Sequence, residues 1–298
     1  MTAPVLLFTY KKLEPLKQSV IALRRNHLAS DTALFVFSDG PKTERDATEI
    51  NDVREYLATI HGFKEVTIYA SETNKGLATS IITGVSKILK THESCVVLED
   101  DLITSTNFLD FMNQALTFYK NNSQVHSISG YSMPIKPLQD EQYDNYFTMR
   151  ASSWGWATWR DRWQEVDWEV SGYSDFKKDA TAQKQFNAMG SDMAGMLNKQ
   201  MTGQLDSWAI RWCFDQFQKK TFSVFPLVSK ISNEGFGEKA TNTKERFNRY
   251  KTKLDETGKR NFGFNPKPHL QPYYIKQFYR VYSLTTRIGY KILNTIFR

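Results

Sequence analysis

Cysteine and long apolar runs are scarce in this 298-residue sequence, and each shortage excludes a class of protein. The two cysteines, Cys95 and Cys213, lie inside apolar stretches, which predicts reduced core residues rather than a secreted disulfide framework. No apolar run approaches the ~20 residues that a membrane span needs, and no charged segment precedes the apolar start at 1–10, as it would in a signal peptide. The sequence therefore predicts a cytoplasmic protein, either soluble or peripheral on the inner face of the cytoplasmic membrane.

Phosphate-loop and nucleophile motifs are also missing. There is no G-x-x-x-x-G-K-[ST] loop and no G-x-G-x-x-G after the first predicted strand, which argues against kinases, NTPases and dinucleotide-dependent dehydrogenases. None of the five histidines follows a predicted strand beside a nucleophile motif, so a Ser/His/Asp hydrolase is disfavoured as well. With 40% hydrophobic and 24% charged residues, the chain has the composition of a folded protein with a large core.

Positive charge is concentrated at the C-terminal end. Residues 257–298 contain eight cations and no acid, whereas residues 1–256 carry 31 basic and 32 acidic side chains. A neutral body with a basic tail lacks the broad basic face of a nucleic-acid-binding protein, so no nucleic acid partner is expected. Within 273–298, four cations fall within about 20° of one line on a helix: Arg280, Arg287, Lys291 and Arg298. This stripe beside an aromatic and aliphatic face predicts an amphipathic helix that contacts an anionic membrane, the alternative being a helix docked on its own domain.

Short apolar runs alternate with helical patterns in the first part of the chain. Strands are predicted at 5–10, 33–40, 65–70, 95–100 and 125–131, and helices at 16–28, 45–60, 77–90 and 107–119. This alternation predicts an α/β fold with a mostly parallel sheet. Because the strands are continuous apolar runs, we expect helices on both faces of the sheet.

After residue 133 the pattern changes. Five of the seven tryptophans fall within 151–168, and a helix opening at Asp206, one strand at 221–232 and a Gly-rich segment at 233–243 follow later. We interpret this half as an elaboration of the first half's sheet, because no internal repeat is present. The predicted organisation is a domain over 1–245, with a first half at 1–133 and a second half at 134–245, and a basic C-terminal extension with an amphipathic helix over 246–298.

Polar residues follow three of the predicted strands, at the edge of an open α/β sheet where ligands bind. Thr9 and Tyr10 follow the first strand, Asp39 follows the second, and 99–101 (Glu-Asp-Asp) follows the fourth. Three consecutive carboxylates repel one another, and a divalent cation such as Mg²⁺ or Mn²⁺ would remove that cost. The alternative is an acid-rich helix start stabilised by the helix dipole.

Taken in order, the segments VLLFTYKK, FVFSDGPK, NKGLATSIITGV and VVLEDDLITSTNFLDFM resemble GT-A (Rossmann-like) glycosyltransferases. The likeness is to the bacterial family-2-type enzymes and to N-acetylglucosaminyltransferase I, and it covers residues 4–245. It implies a nucleotide-diphosphate sugar donor, with a UDP-sugar favoured, and Mn²⁺ or Mg²⁺ as cofactor. The implied donor-binding residues are Thr9, Tyr10, Asp39, Asn74, Gly76, Glu99 and Asp100, and the implied metal ligand is Asp101.

The segment ASSWGWATW resembles the family's loop on the acceptor side of the donor sugar, here Trp154, Gly155 and Trp156. Aromatic faces stack on sugar rings, and a glycine between two tryptophans would let a ligand approach the backbone closely. Trp154 or Trp156 is therefore a candidate sugar contact, with a place in the core as the alternative. For Trp159 and Trp163 we expect the core.

The resemblance also implies a catalytic base at the start of the helix after the Trp-rich loop, which Asp206 matches in QLDSWAIRW. Asp206 is equally a candidate N-cap of that helix. One departure concerns the metal site, because Asn242 stands where relatives often carry a histidine. Either Asp101, the diphosphate and water alone hold the metal, or metal dependence is weak, or the chain has lost activity. Nearby cations could bind the diphosphate instead, with solvated loop cations as the alternative: Lys239, Lys244 and Arg246.

The sequence thus favours an inverting, metal-assisted transferase that moves a sugar to a glycan or lipid-linked glycan acceptor. Two alternatives remain. A sugar nucleotidyltransferase shares the sheet and the metal chemistry, but no triphosphate loop follows the first strand. A catalytically silent glycan-binding protein would keep the Trp-rich loop without a working base.

Overall fold

The structure is a computed structural model that describes residues 2–233 and 247–296. The strands are β1 (Val5–Thr9), β2 (Ala33–Ser38), β3 (Glu65–Ala70), β4 (Ser94–Glu99), β5 (Leu102–Thr104), β6 (Val125–Ser129), β7 (Asn145–Thr148), β8 (Trp156–Trp159), β9 (Phe222–Pro226) and β10 (Ile231–Asn233). The α-helices are α1 (Leu13–Arg24), α2 (Ala47–Leu57), α3 (Leu77–Ile88), α4 (Phe108–Tyr119), α5 (Arg160–Gln164), α6 (Tyr173–Lys178), α7 (Ala180–Phe186), α8 (Met193–Met201), α9 (Trp208–Lys219), α10 (Pro272–Tyr282) and α11 (Leu284–Ile296).

An eight-stranded sheet, in the order β3-β2-β1-β4-β8-β6-β9-β7, forms the centre of the molecule. The pairs β3–β2, β2–β1, β1–β4 and β6–β9 are parallel, and β8 and β7 are antiparallel to their neighbours. Six of the eight strands therefore point the same way, which confirms the predicted mostly parallel α/β sheet. A separate two-stranded sheet pairs β5 with β10.

Both faces of the central sheet are covered, as the continuous apolar strands predict. On β1, Val5 and Leu7 face the core formed with α1, α2 and α4, while Leu6 and Phe8 face the core formed with α3 and α9. All four side chains are buried. The helices thus lie on the two faces and leave the strand ends open at the edge where the candidate site residues lie.

The second half differs from its sequence interpretation in two places. Part of the Trp-rich stretch is β8, a strand inserted between β4 and β6 in the middle of the sheet. The single strand predicted at 221–232 is divided into β9 and β10, which belong to different sheets. Pro226, the last residue of β9, has no N–H to continue a ladder, and the chain crosses to pair with β5.

The chain after residue 246 packs against the central sheet. Phe264, Tyr274 and Phe278 are buried in the same core as β1 and α4. Asn107 donates to the Asp255 carboxylate and to the carbonyl of Lys259, which ties this segment to the start of α4. The predicted boundary between residues 245 and 246 lies outside the described residues.

The described part of the predicted amphipathic segment 273–298, which ends at residue 296, forms two helices rather than one. Ser283 has extended backbone angles, φ −65° and ψ 151°, and separates α10 from α11. Its hydroxyl oxygen accepts a hydrogen bond from the N–H of Thr286, as an N-cap does. The predicted single line of cations is therefore interrupted between Arg280 and Arg287, and Arg298 lies outside the described residues. Among the helices of the described residues, none combines the length and the apolar character required to cross a membrane.

Candidate functional site

The end of β4 is joined to the end of β1 through Asp100. The carboxylate of Asp100 accepts hydrogen bonds from the hydroxyl of Thr9 at 2.7 Å and from the N–H of Tyr10 at 3.2 Å. The phenol of Tyr10 in turn donates to Asp46 at 3.0 Å. Thr9, Tyr10 and Asp100, predicted as separate donor contacts, therefore form one hydrogen-bonded unit at the edge of the sheet.

The three consecutive acids, Glu99, Asp100 and Asp101, are partly buried. Burial, with the charges of Asp101 and Asp100 adding to it, raises the pKa of Glu99 to about 8. Burial also raises the pKa of Asp100 to about 6, against the opposing effect of the Thr9 hydrogen bond. The pKa of Asp101 is raised by burial as well, although Lys12 lies 3.7 Å away and opposes the shift. The raised pKa values mean that the negative charges of these carboxylates are disfavoured. A cation bound nearby would stabilise those charges.

The end of β4 offers few protein ligands for a divalent metal. Within residues 2–233 and 247–296, no three His, Cys, Asp or Glu side chains come together as ligands. A closed protein cage is therefore absent from the described part of the chain. Mg²⁺ usually binds through one or two carboxylates and takes its other ligands from phosphate oxygens and water. Asp101 fits that mode, and Asn242, expected near the metal, lies outside the described residues, as do Lys239, Lys244 and Arg246.

Asp39 holds the turn that leads into α3. Its carboxylate accepts hydrogen bonds from the N–H groups of Lys75 and Gly76, at 2.9 and 3.1 Å, and from the side-chain amide of Asn74 at 3.0 Å. Gly76, with φ +75°, immediately precedes α3. Asp39 and Asn74, both predicted as donor contacts, are thus engaged with each other and set the backbone geometry at the N-terminus of α3.

Asp206 lies in front of α9 and faces that same turn. The N-cap of α9 is Ser207, whose hydroxyl accepts from the N–H of Ile210, so the interpretation of Asp206 as the cap is wrong. The Asp206 side chain is 65% exposed, and an added Cβ at Gly76 would lie 3.7 Å from its carboxylate oxygen. Arg211 lies 3.7 Å from the other oxygen. An exposed carboxylate therefore stands beside the start of α3, at the end of the turn that Asp39 holds.

The two candidate sugar-contacting tryptophans lie in different environments. Trp156 is the first residue of β8, only 1% exposed, and stacks on Trp208 with ring centroids 4.8 Å apart. It has no exposed face for a sugar, so the expectation of a sugar contact is corrected for Trp156. Trp159 and Trp163 are also buried, as expected. Trp154 is only partly buried and packs edge-on against Tyr131, with ring centroids 4.6 Å apart.

Gly155 serves the packing of the protein. It has φ +60°, and an added Cβ would lie 2.7 Å from Ile231. Its carbonyl accepts a hydrogen bond from the N–H of Gly130. The group that approaches this glycine closely is therefore Ile231 of β10 rather than a ligand, which corrects the sequence interpretation.

A pocket of about 250 Å³ lies next to Ser207 and Trp154. It is lined by aromatic, hydroxyl and charged side chains, among them Tyr131, Arg150, Ser152, Trp154, Tyr250 and Tyr282. The guanidinium of Arg150 forms two hydrogen bonds with Asp192 and lies 3.8 Å from the ring centre of Tyr282. Sequence reasoning missed Arg150 and the three tyrosines, because they come from four separate segments that only the fold brings together.

Comparisons with known proteins find matches among solved structures. No protein-family model and no curated protein matches the chain. Among solved structures, it is similar to the mannosyltransferase PcManGT from Pyrobaculum calidifontis in complex with GDP-Man and Mn²⁺, with 14% identity, a TM-score of 0.38, and coverage of 54% of this chain and 46% of that one. It is also similar to S. aureus TarS, with 11% identity, a TM-score of 0.38, and coverage of 76% and 37%. The matched region thus spans less than half of either neighbour, and at this similarity neither assigns a function.

Proposed function

We propose that this protein is an inverting glycosyltransferase that moves a sugar from a nucleotide-diphosphate sugar, with UDP-sugars favoured, to a glycan or lipid-linked glycan. The observation that carries the proposal is that carboxylates at the end of a buried strand and one exposed carboxylate lie along the same edge of the sheet. Asp100 and Asp101 follow β4, and the exposed Asp206 stands beside Gly76 at the start of α3. The strand-end carboxylates would bind the donor diphosphate through a metal ion, and Asp206 would provide the base that the transfer reaction needs.

The donor would lie across the ends of β1, β2 and β4. The N-terminus of α3, positioned by Asp39, offers the positive end of a helix dipole to a diphosphate. When bound, Mn²⁺ or Mg²⁺ on Asp101 would neutralise charge on the leaving diphosphate. Thr9, Tyr10 and Glu99 lie at the same edge and would line the nucleotide and sugar positions.

Asp206 would act as the base. Its carboxylate accepts the proton of an acceptor hydroxyl while that oxygen bonds to the anomeric carbon of the donor sugar. The bond from the anomeric carbon to the diphosphate oxygen breaks, and the diphosphate leaves with the electron pair. Attack opposite the leaving group inverts the anomeric configuration, so one carboxylate is sufficient and no covalent intermediate is needed.

The acceptor would enter through the pocket beside Trp154 and Ser207. Aromatic side chains there present faces to the C–H groups of sugar rings, and hydroxyl groups provide hydrogen bonds. We place the protein in the cytoplasm, without a nucleic acid partner. We further propose that 273–298 contacts an anionic membrane, where a lipid-linked acceptor would be presented.

Calorimetric titration of UDP with and without Mn²⁺ tests the donor site. We expect micromolar binding that needs the metal and is lost in Asp101→Ala, because the carboxylate and the diphosphate share the ion. Asp175→Ala, which removes an exposed acid of α6, is the matched control and should bind as the parent does. Screening UDP-sugars for hydrolysis and transfer follows. Absence of binding for UDP, GDP and CMP alike would contradict the proposal and favour a silent glycan-binding protein.

A further inference from the structure

The last described helix, α11, is docked on the protein through its polar side. Asn294 accepts a hydrogen bond from the N–H of Phe247 and donates one to the carbonyl of the same residue. One turn from the N-terminus, the guanidinium of Arg287 donates to the hydroxyl of Ser191 at 3.0 Å. Thr286 and Tyr290 complete this side of the helix and are both partly buried. None of the described side chains of α11 is buried.

The opposite side of α11 is mostly aliphatic and faces solvent, with Thr285, Lys291 and Thr295 exposed among its aliphatic residues. Its exposed fractions are 57% for Leu284, 49% for Ile288, 52% for Ile292, 38% for Leu293 and 67% for Ile296. Four of these residues recur at intervals of four, so they form a continuous ridge along the helix. A surface helix of a globular protein normally turns such a ridge toward the core. Here the arrangement is reversed, which marks the ridge as a docking surface.

The charges around the ridge identify its partner. Lys291 flanks it on α11, and Lys276 and Arg280 are exposed on the preceding α10. The segment 257–298 contains no acid. A second copy of this chain would bring like charges together across the contact, whereas an anionic lipid surface complements them. Exposed Tyr273 and Tyr279 add the aromatic side chains that favour the membrane–water interface.

The ridge begins beside the acceptor pocket. Tyr282, which lines that pocket, is two residues before Leu284, where the ridge starts. The carbonyl of Tyr282 accepts hydrogen bonds from the N–H and hydroxyl of Ser191, the residue that also accepts from Arg287. Ser191 therefore connects a pocket-lining residue, Tyr282, with Arg287 of α11.

We propose that the aliphatic ridge of α11 inserts into the surface of an anionic membrane and thereby holds the acceptor pocket at the lipid surface, where it takes an acceptor linked to a lipid. The second part of this inference rests on the proposed transferase function. The first part, membrane docking, is independent of catalysis. The two parts can therefore fail separately.

Co-sedimentation with vesicles tests the docking. The parent should bind vesicles of equal parts phosphatidylglycerol and phosphatidylcholine more tightly than vesicles of phosphatidylcholine alone. The double variant Ile288→Gln/Ile292→Gln should bind the anionic vesicles at least about tenfold more weakly, because two aliphatic side chains that would be buried in the membrane are lost. The matched control is Ile288→Leu/Ile292→Leu, which keeps aliphatic side chains of the same size at both positions and should bind as the parent does. Circular dichroism checks the folding of both variants, which should keep the helix content of the parent.

Equal binding of the parent and the Ile288→Gln/Ile292→Gln variant would overturn the docking proposal. So would failure of the parent to bind anionic vesicles. A parent dimer in sedimentation velocity that the same variant dissociates, without vesicle binding, would assign the ridge to contact between copies. Lys276→Gln/Arg280→Gln/Lys291→Gln should weaken vesicle binding about tenfold or more, as raised salt does.

The placement of the acceptor pocket at the lipid surface is tested by measuring sugar transfer to a lipid-linked form and a water-soluble form of the same acceptor. On a lipid-linked acceptor in vesicles, we expect Ile288→Gln/Ile292→Gln to lose activity in proportion to its lost binding. On a water-soluble acceptor, the parent and the variant should have equal rates. Equal rates on both forms would overturn the placement of the acceptor at the membrane. No transfer by the parent to either form, with vesicle binding intact, would contradict the proposed transferase and leave the docking standing.

Discussion

Two regions of the sheet edge hold their side chains by different interactions. In the region proposed to bind the donor (the donor region), formed by the ends of β1, β2 and β4, carboxylates accept hydrogen bonds from loop N–H groups, as Asp39 does from Lys75 and Gly76. In the region proposed to bind the acceptor (the acceptor region), formed by 150–156 and its neighbours, aromatic rings pack on one another, as Trp156 does on Trp208. Hydrogen bonds to charged groups fix direction, whereas large buried rings contribute mainly burial free energy. We therefore expect changes in the donor region to alter ligand binding first, and changes in the acceptor region to alter stability first.

Asp206 stands where the two regions meet, and its removal gives the largest expected effect. Asp206→Asn should lower the turnover of sugar transfer by about a thousandfold, because the amide cannot accept the acceptor's proton. The side chain is 65% exposed and is not the cap of α9, so the free energy of unfolding should change by less than about 0.5 kcal/mol. Steady-state kinetics and urea denaturation measure the two quantities.

UDP binding supplies the control for Asp206→Asn. The donor affinity should match that of the parent, because the donor region is untouched. A variant with turnover within a few fold of the parent would show that another group serves as the base and that Asp206 does not join the two regions.

The paired tryptophans on either side of Gly155 test the comparison within the acceptor region. Trp156→Ala should reduce the free energy of unfolding by about 3–5 kcal/mol, because it leaves a large cavity beneath Trp208 and Trp163. Trp154→Ala should cost less, since Trp154 is only partly buried, and should raise the KM for the acceptor instead. Urea denaturation and acceptor kinetics of the two variants separate a core tryptophan from a ligand contact. Equal losses of stability, with an unchanged acceptor KM, would remove Trp154 from the proposed pocket.

The same contrast explains how far the sequence predicts the structure. The elements of the first half are predicted well from the sequence. Its parallel strands are covered on both faces and so form continuous apolar runs, and its helices show the usual helical spacing of apolar residues. The predicted strand at 65–70 coincides with β3, and the polar ends of β1, β2 and β4 do lie at one edge. Local pattern is sufficient there, since each strand is followed in sequence by the helix that covers it.

The second half depends on contacts between distant segments, which periodicity does not record. A tryptophan that stacks on a sugar and a tryptophan that packs in the core have the same signature in sequence. Trp154 and Trp156, two residues apart in the Trp-rich stretch, therefore cannot be distinguished from the sequence. Their difference arises because Trp156 joins β8 in the middle of the sheet. Likewise, the amphipathic pattern of 273–298 does not reveal the break at Ser283 or that α11 docks by its polar side.

Asp39 offers the smallest effect and tests the donor region. Asp39→Asn keeps the size of the side chain but loses the charge that accepts hydrogen bonds from Lys75 and Gly76. Hydrogen bonds to charged groups contribute about 1.5–3 kcal/mol, and we expect most of this to appear as a weaker UDP affinity, by about tenfold, because the turn before α3 loses its fixed geometry. Glu72→Gln, an exposed acid just before the same turn, is the matched control and should leave the affinity unchanged. A loss of stability without any loss of UDP affinity would mean that the polar contacts of the donor region support the fold as the rings of the acceptor region do, and the contrast between the two regions would not hold.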